Sequence, residues 1–215
     1  PGSLRLSYSG NMNLSFAHLS DYNLMNSSEK LEFERLAGYY GDLDENGEVE
    51  SESKQRLYYQ RLAEVARGVD TYWMSEPLRF AVSHSHNLFA EGGDDRMRYG
   101  LGFSYNKTQG VMKGSDRDVI NGNVQLLYRY KTLSFKNYLN LDYTMSSREK
   151  VAFSKFSQSN PYHRKKNEFG VVEQVLEQYW DSDYDSPTYS KTMNTYNPLF
   201  DMNQGSSDET TSFGF

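Results

Sequence analysis

The chain has 215 residues, a net charge of -6 and no cysteine. The lack of cysteine excludes a disulfide framework and any thiolate site. The acidic balance argues against a nucleic-acid binder, which needs a basic face. Only 37% of the residues are hydrophobic, although 15% are aromatic. No apolar run approaches the roughly 20 residues of a membrane helix, so any membrane role must use strands.

Residues 1–17 open the chain with alternating apolar and polar side chains. Leu6, Tyr8 and Leu14 share one face with Gly10, whereas serines and asparagines occupy the other face. A period of two indicates a β-strand. We therefore assign residues 1–17 to a first long strand.

The period changes in residues 18–77, which we predict to be a long loop with two helices. Asn26 and Glu29 have the spacing of a capping pair. The side chains that follow at helical spacing are Phe33, Leu36, Ala37 and Tyr40. A second helix is predicted at residues 50–67, with Gly68 as its stop. The side chains on one side of this helix are Tyr58, Arg61, Leu62 and Val65.

Residues 78–146 contain four more alternating runs, joined by short turns and one medium loop. These runs are longer than an ordinary strand of about 5 to 6 residues and match the roughly 9 to 11 that a tilted strand needs to cross a bilayer. In the first run, His84 and His86 fall on the apolar face. This conflict predicts a bulge, or a position above the lipid.

Long and short connections alternate along the chain. Residues 147–209 form a second long loop, and residues 210–215 start a sixth strand. In an outer-membrane barrel the short turns lie on the periplasmic side and the long loops outside. The sequence thus predicts an all-β fold, part of a large antiparallel transmembrane β-barrel with a small helical extracellular insertion. Because the chain begins at Pro1 and stops at Phe215 within an apparent strand, we interpret it as a piece of a longer protein.

Several short motifs resemble the SusC/RagA family of TonB-dependent outer-membrane transporters of the Bacteroidetes. They occur in family order at residues 4–13, 19–34, 67–78, 85–93, 109–113, 160–162 and 197–201. The resemblance covers nearly the whole chain and corresponds to the stretch just after the plug domain. It implies a barrel of 22 strands in the cell outer membrane, energised through TonB and capped by a SusD-like surface lipoprotein. Such complexes import oligosaccharides or peptides. The TonB box, the plug and most of the barrel would lie outside this chain.

Two other functions remain open on the sequence. One is a secreted glycan-binding β-sandwich, which would have shorter strands and less unequal turns. The other is an outer-membrane adhesin barrel without energy coupling. No nucleophile, base and orienting residue can be assembled from the chain, so we do not expect an enzyme.

An acidic segment between the two predicted helices suggests a calcium site. The oxygen-bearing side chains with the spacing of a calcium loop are Asp42, Asp44 and Asn46. Ser53 stands where an EF-hand requires a bidentate Glu, so an EF-hand is not expected, but Glu50 or Glu52 would complete a looser site. The alternative is an acidic connection between helices that holds no metal.

A ligand site is predicted in the aromatic and acidic loop at residues 179–189. Its residues are Tyr179, Trp180, Asp181, Asp183 and Tyr184. Aromatic faces stack on sugar rings, and carboxylates accept hydrogen bonds from hydroxyl groups, so this composition favours a glycan. The alternatives are contact with the lipoprotein and simple loop packing.

Three further groups of residues have both a functional and a structural interpretation. His84 and His86 would bind zinc if a third ligand existed, and otherwise add polarity at the membrane interface or in the lumen. The basic residues 163–166 either meet anionic lipopolysaccharide or form a solvated charge cluster. The side chains predicted to face the barrel lumen or the plug are Arg5, Arg98, Arg129, Lys136 and Asp142. The alternative for this last group is mutual ion pairing along the wall.

Overall fold

The computed structural model describes residues 2–41, 52–182, 190–204 and 209–214. The strands are β1 (Gly2–Ser15), β2 (Ala81–Gly93), β3 (Met97–Gln109), β4 (Asp116–Tyr130), β5 (Leu133–Ser147), β6 (Val175–Ser182), β7 (Ser190–Tyr196) and β8 (Glu209–Gly214). The α-helices are α1 (Ser27–Leu36), α2 (Glu52–Ala66), α3 (Phe153–Ser157) and α4 (Pro198–Gln204). A single 3-10 turn covers Trp73–Ser75 in this part of the chain. Among the described helices, none has the length and apolar character needed to cross a membrane.

The chain divides into two compact units. The first contains Pro1–Ala17, Leu78–Lys150 and Ser206–Phe215, and the second contains His18–Pro77 and Val151–Gly205. The first unit is a six-stranded sheet in the order β1-β2-β3-β4-β5-β8. Every neighbouring pair in this sheet is antiparallel. The described fold is therefore mostly antiparallel β-sheet with few helices.

The short turn between β2 and β3 depends on a glycine and an aspartate. Gly93 has φ 132°, and a Cβ at this position would lie 2.1 Å from the carbonyl oxygen of Met97. Asp94 Oδ1 accepts hydrogen bonds from the backbone N–H groups of Arg96 and Met97, each at 2.8 Å. These bonds hold the turn in one conformation, and the turn sets the register between β2 and β3.

The predicted bulge near His84 and His86 is wrong. The pairing of β2 with β1 and β3 is continuous through both residues. The hydroxyl of Tyr8 lies 2.7 Å from Nδ1 of His86, and the His84 and His86 rings are 5.1 Å apart. Polar and aromatic neighbours thus accommodate the two imidazoles on this face without a change of register.

The second unit holds both clusters of buried side chains found in the described residues. One cluster comprises Leu31, Tyr40, Leu57 and Tyr162. The other comprises Trp73, Phe156 and Leu199. Each cluster combines residues from the segment after β1 with residues from the segment after β5. The two long connections therefore fold together into one body, which the sequence does not predict.

Local signals explain where the helices of the second unit start and stop. Asn26 and Glu29 form a capping box, with bonds of 2.9 and 3.0 Å between each side chain and the other's backbone N–H. α1 ends at Leu36, since Gly38 takes φ 72°, and Tyr40 lies beyond the helix. α2 likewise ends before Gly68, which has φ 80°. The helical spacing predicted for Tyr40 is thus wrong, because the glycine ends the helix first.

The two tryptophans of the chain allow a test of this core. Trp73 is 2% exposed and Trp180 is 60% exposed, and Trp73 Nε1 donates to the carbonyl oxygen of Asn160 at 2.9 Å. We expect Trp73→Ala to lower the free energy of unfolding by about 3 to 5 kcal/mol, because it leaves a cavity. The measurement is urea unfolding of the native protein followed by circular dichroism.

Trp180→Ala is the matched control for this substitution. An exposed side chain has little packing to lose, so its change should stay within about 0.5 kcal/mol. The control also leaves Trp73 as the chain's own fluorophore. Equal losses in the two variants would contradict the core described above.

Candidate functional site

One face of the six-stranded sheet is apolar and uncovered in the described part of the chain. The register aligns Leu6, Ala90, Leu101, Val124 and Leu139 in one row across five strands. Large apolar side chains exposed on this face are Leu4, Leu6, Tyr8, Met12, Leu14, Leu88, Met97, Tyr99, Leu101, Phe103, Val124, Tyr128, Tyr130, Leu133, Phe135, Leu139, Leu141, Met145 and Phe213. A soluble monomer rarely exposes so large a contiguous apolar patch. This face is therefore a surface built to be covered by an apolar phase or partner.

The opposite face of the same sheet is polar. Ser9, Asn87, Ser104, Asn121 and Asp142 form one row across it. The residues predicted from the sequence to face the lumen all lie on this polar face, and they are Arg5, Arg98, Arg129, Lys136 and Asp142. Asn121 Nδ2 donates to the carboxylate of Asp142, and Ser104 Oγ donates to Asn121 Oδ1 at 3.2 Å.

The predicted aromatic ligand site is only partly described. Tyr179 and Trp180 lie in β6 rather than in a loop, because β6 and β7 form a hairpin that the sequence does not predict. They line a cavity of about 450 Å³ together with polar side chains of α2, among them Gln60 and Arg56. Asp181 ends up in the same strand. Asp183 and Tyr184 lie outside the described residues.

Metal binding finds no support in the residues that the structure describes. No group of three or more His, Cys, Asp or Glu side chains there is arranged to hold a metal ion. The residues predicted to bind calcium lie outside the described ranges, and they are Asp42, Asp44, Asn46 and Glu50.

A buried ion-pair cluster joins the two halves of the second unit. Arg61 in α2 is 4% exposed. Its guanidinium binds Glu177 of β6 through two hydrogen bonds of 2.9 and 2.6 Å. A third contact of 3.2 Å reaches Glu34 of α1. Arg61 and Glu177 are far apart in sequence, and their ion pair holds β6 against α2.

Two buried tyrosines complete this cluster. Tyr40 donates to Glu34 at 2.7 Å, and Tyr162 donates to the same carboxylate at 3.0 Å. Burial raises the pKa of both phenols above the ordinary range, so both stay protonated and act as donors. Lys30 lies 3.4 Å from Glu34 at the edge of the cluster and supplies a second positive charge. Two cations thus balance two carboxylates.

The arginine also controls the protonation of Glu177. Burial by itself, the largest influence, would raise the pKa of Glu177, but the contacts with Arg61 and, to a lesser extent, with His163 together outweigh burial and lower the pKa to about 2. His163, which is 6% exposed, lies nearby with its Nε2 atom 3.6 Å from Glu177 Oε2. Neither ring nitrogen of His163 has a hydrogen-bond partner among the described residues. Because its pKa is about 2, the Glu177 carboxylate stays ionised at all but strongly acidic pH.

Sequence reasoning missed this cluster, although one signal was present. Arg61 falls at helical spacing with Tyr58, Leu62 and Val65, and a cation on the apolar side of a helix needs a buried partner. The partners cannot be read from the sequence, because Glu34 and Glu177 come from remote segments. The side of α2 predicted from the spacing is also only partly right. Leu57, which was not assigned to it, is buried, whereas Leu62, which was assigned to it, is 37% exposed.

Comparison with known proteins finds a match in structure but none in sequence. No protein-family model matches the chain, and no curated protein is similar to it in sequence. A solved structure of the RagAB peptide transporter superposes with a TM-score of 0.63 at 12% identity. The match covers 92% of this chain and 24% of that chain. The two share a fold. The chain thus spans about a quarter of the length of the transporter chain it matches.

The buried pair yields a prediction for stability. Glu177→Gln leaves Arg61 buried with an incomplete set of partners, so it should destabilise the second unit by about 3 to 5 kcal/mol. Arg56→Gln is the matched control. Arg56 pairs with Glu52 at 3.1 Å, but both side chains are more than two-thirds exposed, so its loss should cost about 0 to 1 kcal/mol. Urea unfolding of both variants measures the difference, and similar costs would refute the buried cluster.

The low pKa of Glu177 yields a second prediction, for acid. A group whose pKa falls on folding stabilises the folded state above its unfolded pKa and loses that contribution as pH falls through the folded value. For Glu177 the window runs from the ordinary 4.5 down to about 2. The loss should be of the order of 3 kcal/mol across that window. Unfolding curves of the native protein and of Glu177→Gln at several pH values test this, and the variant should lack this part of the pH dependence.

Proposed function

We propose that the chain forms part of the wall of a TonB-dependent outer-membrane transporter of the SusC/RagA type. It imports nutrients, oligosaccharides or peptides, and works with a SusD-like surface lipoprotein. The observation that carries this proposal is the two-faced sheet. Its long strands expose an apolar face on one side and a polar face on the other, which is the pattern of a barrel wall between lipid and an aqueous lumen.

The dimensions of the apolar face fit a bilayer. The stretch of β4 from Ile120 to Tyr130 is about 34 Å long at about 3.4 Å per residue. A strand tilt of about 40° reduces this to about 26 Å, close to the roughly 25 Å apolar band of outer-membrane barrels. Tyr105 and Tyr143 share the row of Ile120 at one border, and Tyr130 marks the other. Aromatic girdles of this kind flank the band in such barrels.

The motifs that resemble the family have structural roles in the second unit. Glu34 ends the motif at residues 19–34 and accepts the hydroxyl of Tyr162 from the motif at 160–162. Trp73, in the motif at 67–78, donates to the carbonyl of Asn160. Asn197 Oδ1 accepts the N–H of Leu199 at 3.0 Å, within the motif at 197–201. Residues of the motifs at 19–34 and 67–78 thus contact residues of the motif at 160–162.

The connections between the strands fit a barrel whose long loops lie on the extracellular side. Ser15 pairs with Ala81, and Ser147 pairs with Glu209, so both long connections leave the sheet at one end. We infer that this end is extracellular and that the second unit lies outside the cell, where a lipoprotein partner would meet it. Six strands cannot enclose a polar lumen, so we infer that the other strands, the plug and the TonB box belong to residues outside this chain.

The proposed lipid face predicts a one-sided sensitivity to charge. Leu101 pairs with Val124 near the middle of the apolar band. We expect Leu101→Arg to destabilise the barrel by about 2 to 4 kcal/mol, because arginine must enter lipid. Gln125→Arg, on the polar face, is the control and should cost much less. Heat stability of the assembled barrel on gels measures both, and equal effects would refute the assigned faces.

Cell fractionation and uptake test the transporter itself. We expect the native protein in the outer membrane, together with a lipoprotein, and a loss of peptide or oligosaccharide uptake when either this protein or TonB is removed. A membrane-bound protein whose removal leaves uptake unchanged would favour the adhesin. A soluble secreted protein would favour the glycan-binding sandwich and overturn the barrel.

A further inference from the structure

Charge is unevenly distributed along the polar face of the sheet. Away from the short turns, its rows consist largely of neutral hydrogen-bonding side chains, such as Ser9, Asn87, Ser104 and Asn121. Near the short turns the character changes, because Arg98, Arg129 and Lys136 lie there together. We call these three residues the basic patch.

The register places the three cations of the basic patch close to one another. Arg98 pairs with Leu127, and Leu127 pairs with Lys136. With about 4.8 Å between strands, the Cα atoms of Arg98 and Lys136 are about 10 Å apart. Arg129 follows Leu127 by two residues, which puts it on the same face about 8 Å from each. All three side chains are exposed and long enough to reach a single bound group.

The charge of the basic patch is not neutralised by the described part of the chain. Its neighbours on the same face include Gly100, Gln125, Ser134 and Tyr138, none of them acidic. Glu91, the acid one row away, forms no ion pair within 4 Å in the described residues. No ion pair within 4 Å in the described part of the chain involves any of the three cations, so their charge is not compensated there.

We propose that the basic patch binds carboxylate groups of an acidic solute and gives the transport path a preference for negatively charged substrates. This rests on the proposed function, because it takes the polar face as the wall of the path. Clustered Arg and Lys side chains on a channel wall select anions. The two guanidinium groups can each hold a carboxylate through two hydrogen bonds. The neutral amide and hydroxyl rows above would bind the uncharged parts of the same solute.

An acidic stretch of polypeptide is the rival occupant of the patch. Such a stretch would be bound permanently and would stabilise the fold, whereas a solute exchanges and depends on its own concentration. The extended spacing of the three cations, with Leu127 between them and neutral rows above, favours a solute that moves along the wall. The two occupants differ in what happens to stability when the cations are removed.

The test compares binding of two peptides of equal length to the native detergent-solubilised protein, tetraglutamate and tetraglutamine. We expect tetraglutamate to bind about tenfold more tightly by calorimetry. The variant Arg98→Gln/Arg129→Gln/Lys136→Gln should lose this preference and keep its thermal midpoint. Arg117→Gln is the matched control, because Arg117 lies on the same face near the opposite end, and it should keep the preference.

Two results would overturn the proposal. One is equal binding of the two peptides by the native protein. The other is a triple variant with a lower thermal midpoint and no change in peptide binding, which would assign the patch to an acidic polypeptide segment. If the triple variant does not assemble, salt dependence decides. The preference of the native protein must shrink between about 20 mM and about 500 mM NaCl, and a preference that salt leaves unchanged refutes it.

These outcomes are separable from failure of the transporter proposal. A protein that resides in the outer membrane and supports uptake, but binds both peptides equally, keeps its proposed function and loses the acidic preference. A protein absent from the outer membrane loses both. Fractionation therefore precedes the binding measurement.

Discussion

An uncovered apolar face of a six-stranded sheet is unfavourable in water. The sheet has no layer packed on Leu101, Val124 or Leu139 in the described residues, all of which are exposed. In a globular protein such a face would be the core. Here the buried clusters lie entirely in the second unit. The sheet must therefore obtain its apolar environment from outside the described residues.

The two units are consequently stabilised by different physical means. The sheet relies on backbone hydrogen bonds between long strands and on the phase that covers one face. The second unit relies on packing and on one buried charge cluster, as in a soluble domain. Arg61 is central to it because a buried guanidinium is tolerated only with several partners. Glu34 and Glu177 come from segments before and after the middle of the sheet, so this cluster needs both connections to be in place.

The difference between the units explains how much of the fold could be predicted from the sequence. The strands of the sheet were predictable because period-two alternation is local, and the register then follows from turns such as that at Gly93. The capping box of α1 was readable for the same reason. The association of the two long connections was not, because no local pattern records that Tyr162 approaches Glu34. The hairpin of β6 and β7 was also missed, because its sequence is polar and aromatic without clear alternation.

The same difference accounts for a shared fold at 12% identity. A two-faced sheet requires only that each position be apolar or polar, so most residues in the sheet can change without changing the register. The second unit is less free, because Glu34, Trp73 and Tyr162 each make a particular hydrogen bond. The basic patch lies on the polar face of the sheet, where the strand pairing requires a polar residue but not a particular charge, so its three cations could be replaced without a change of register.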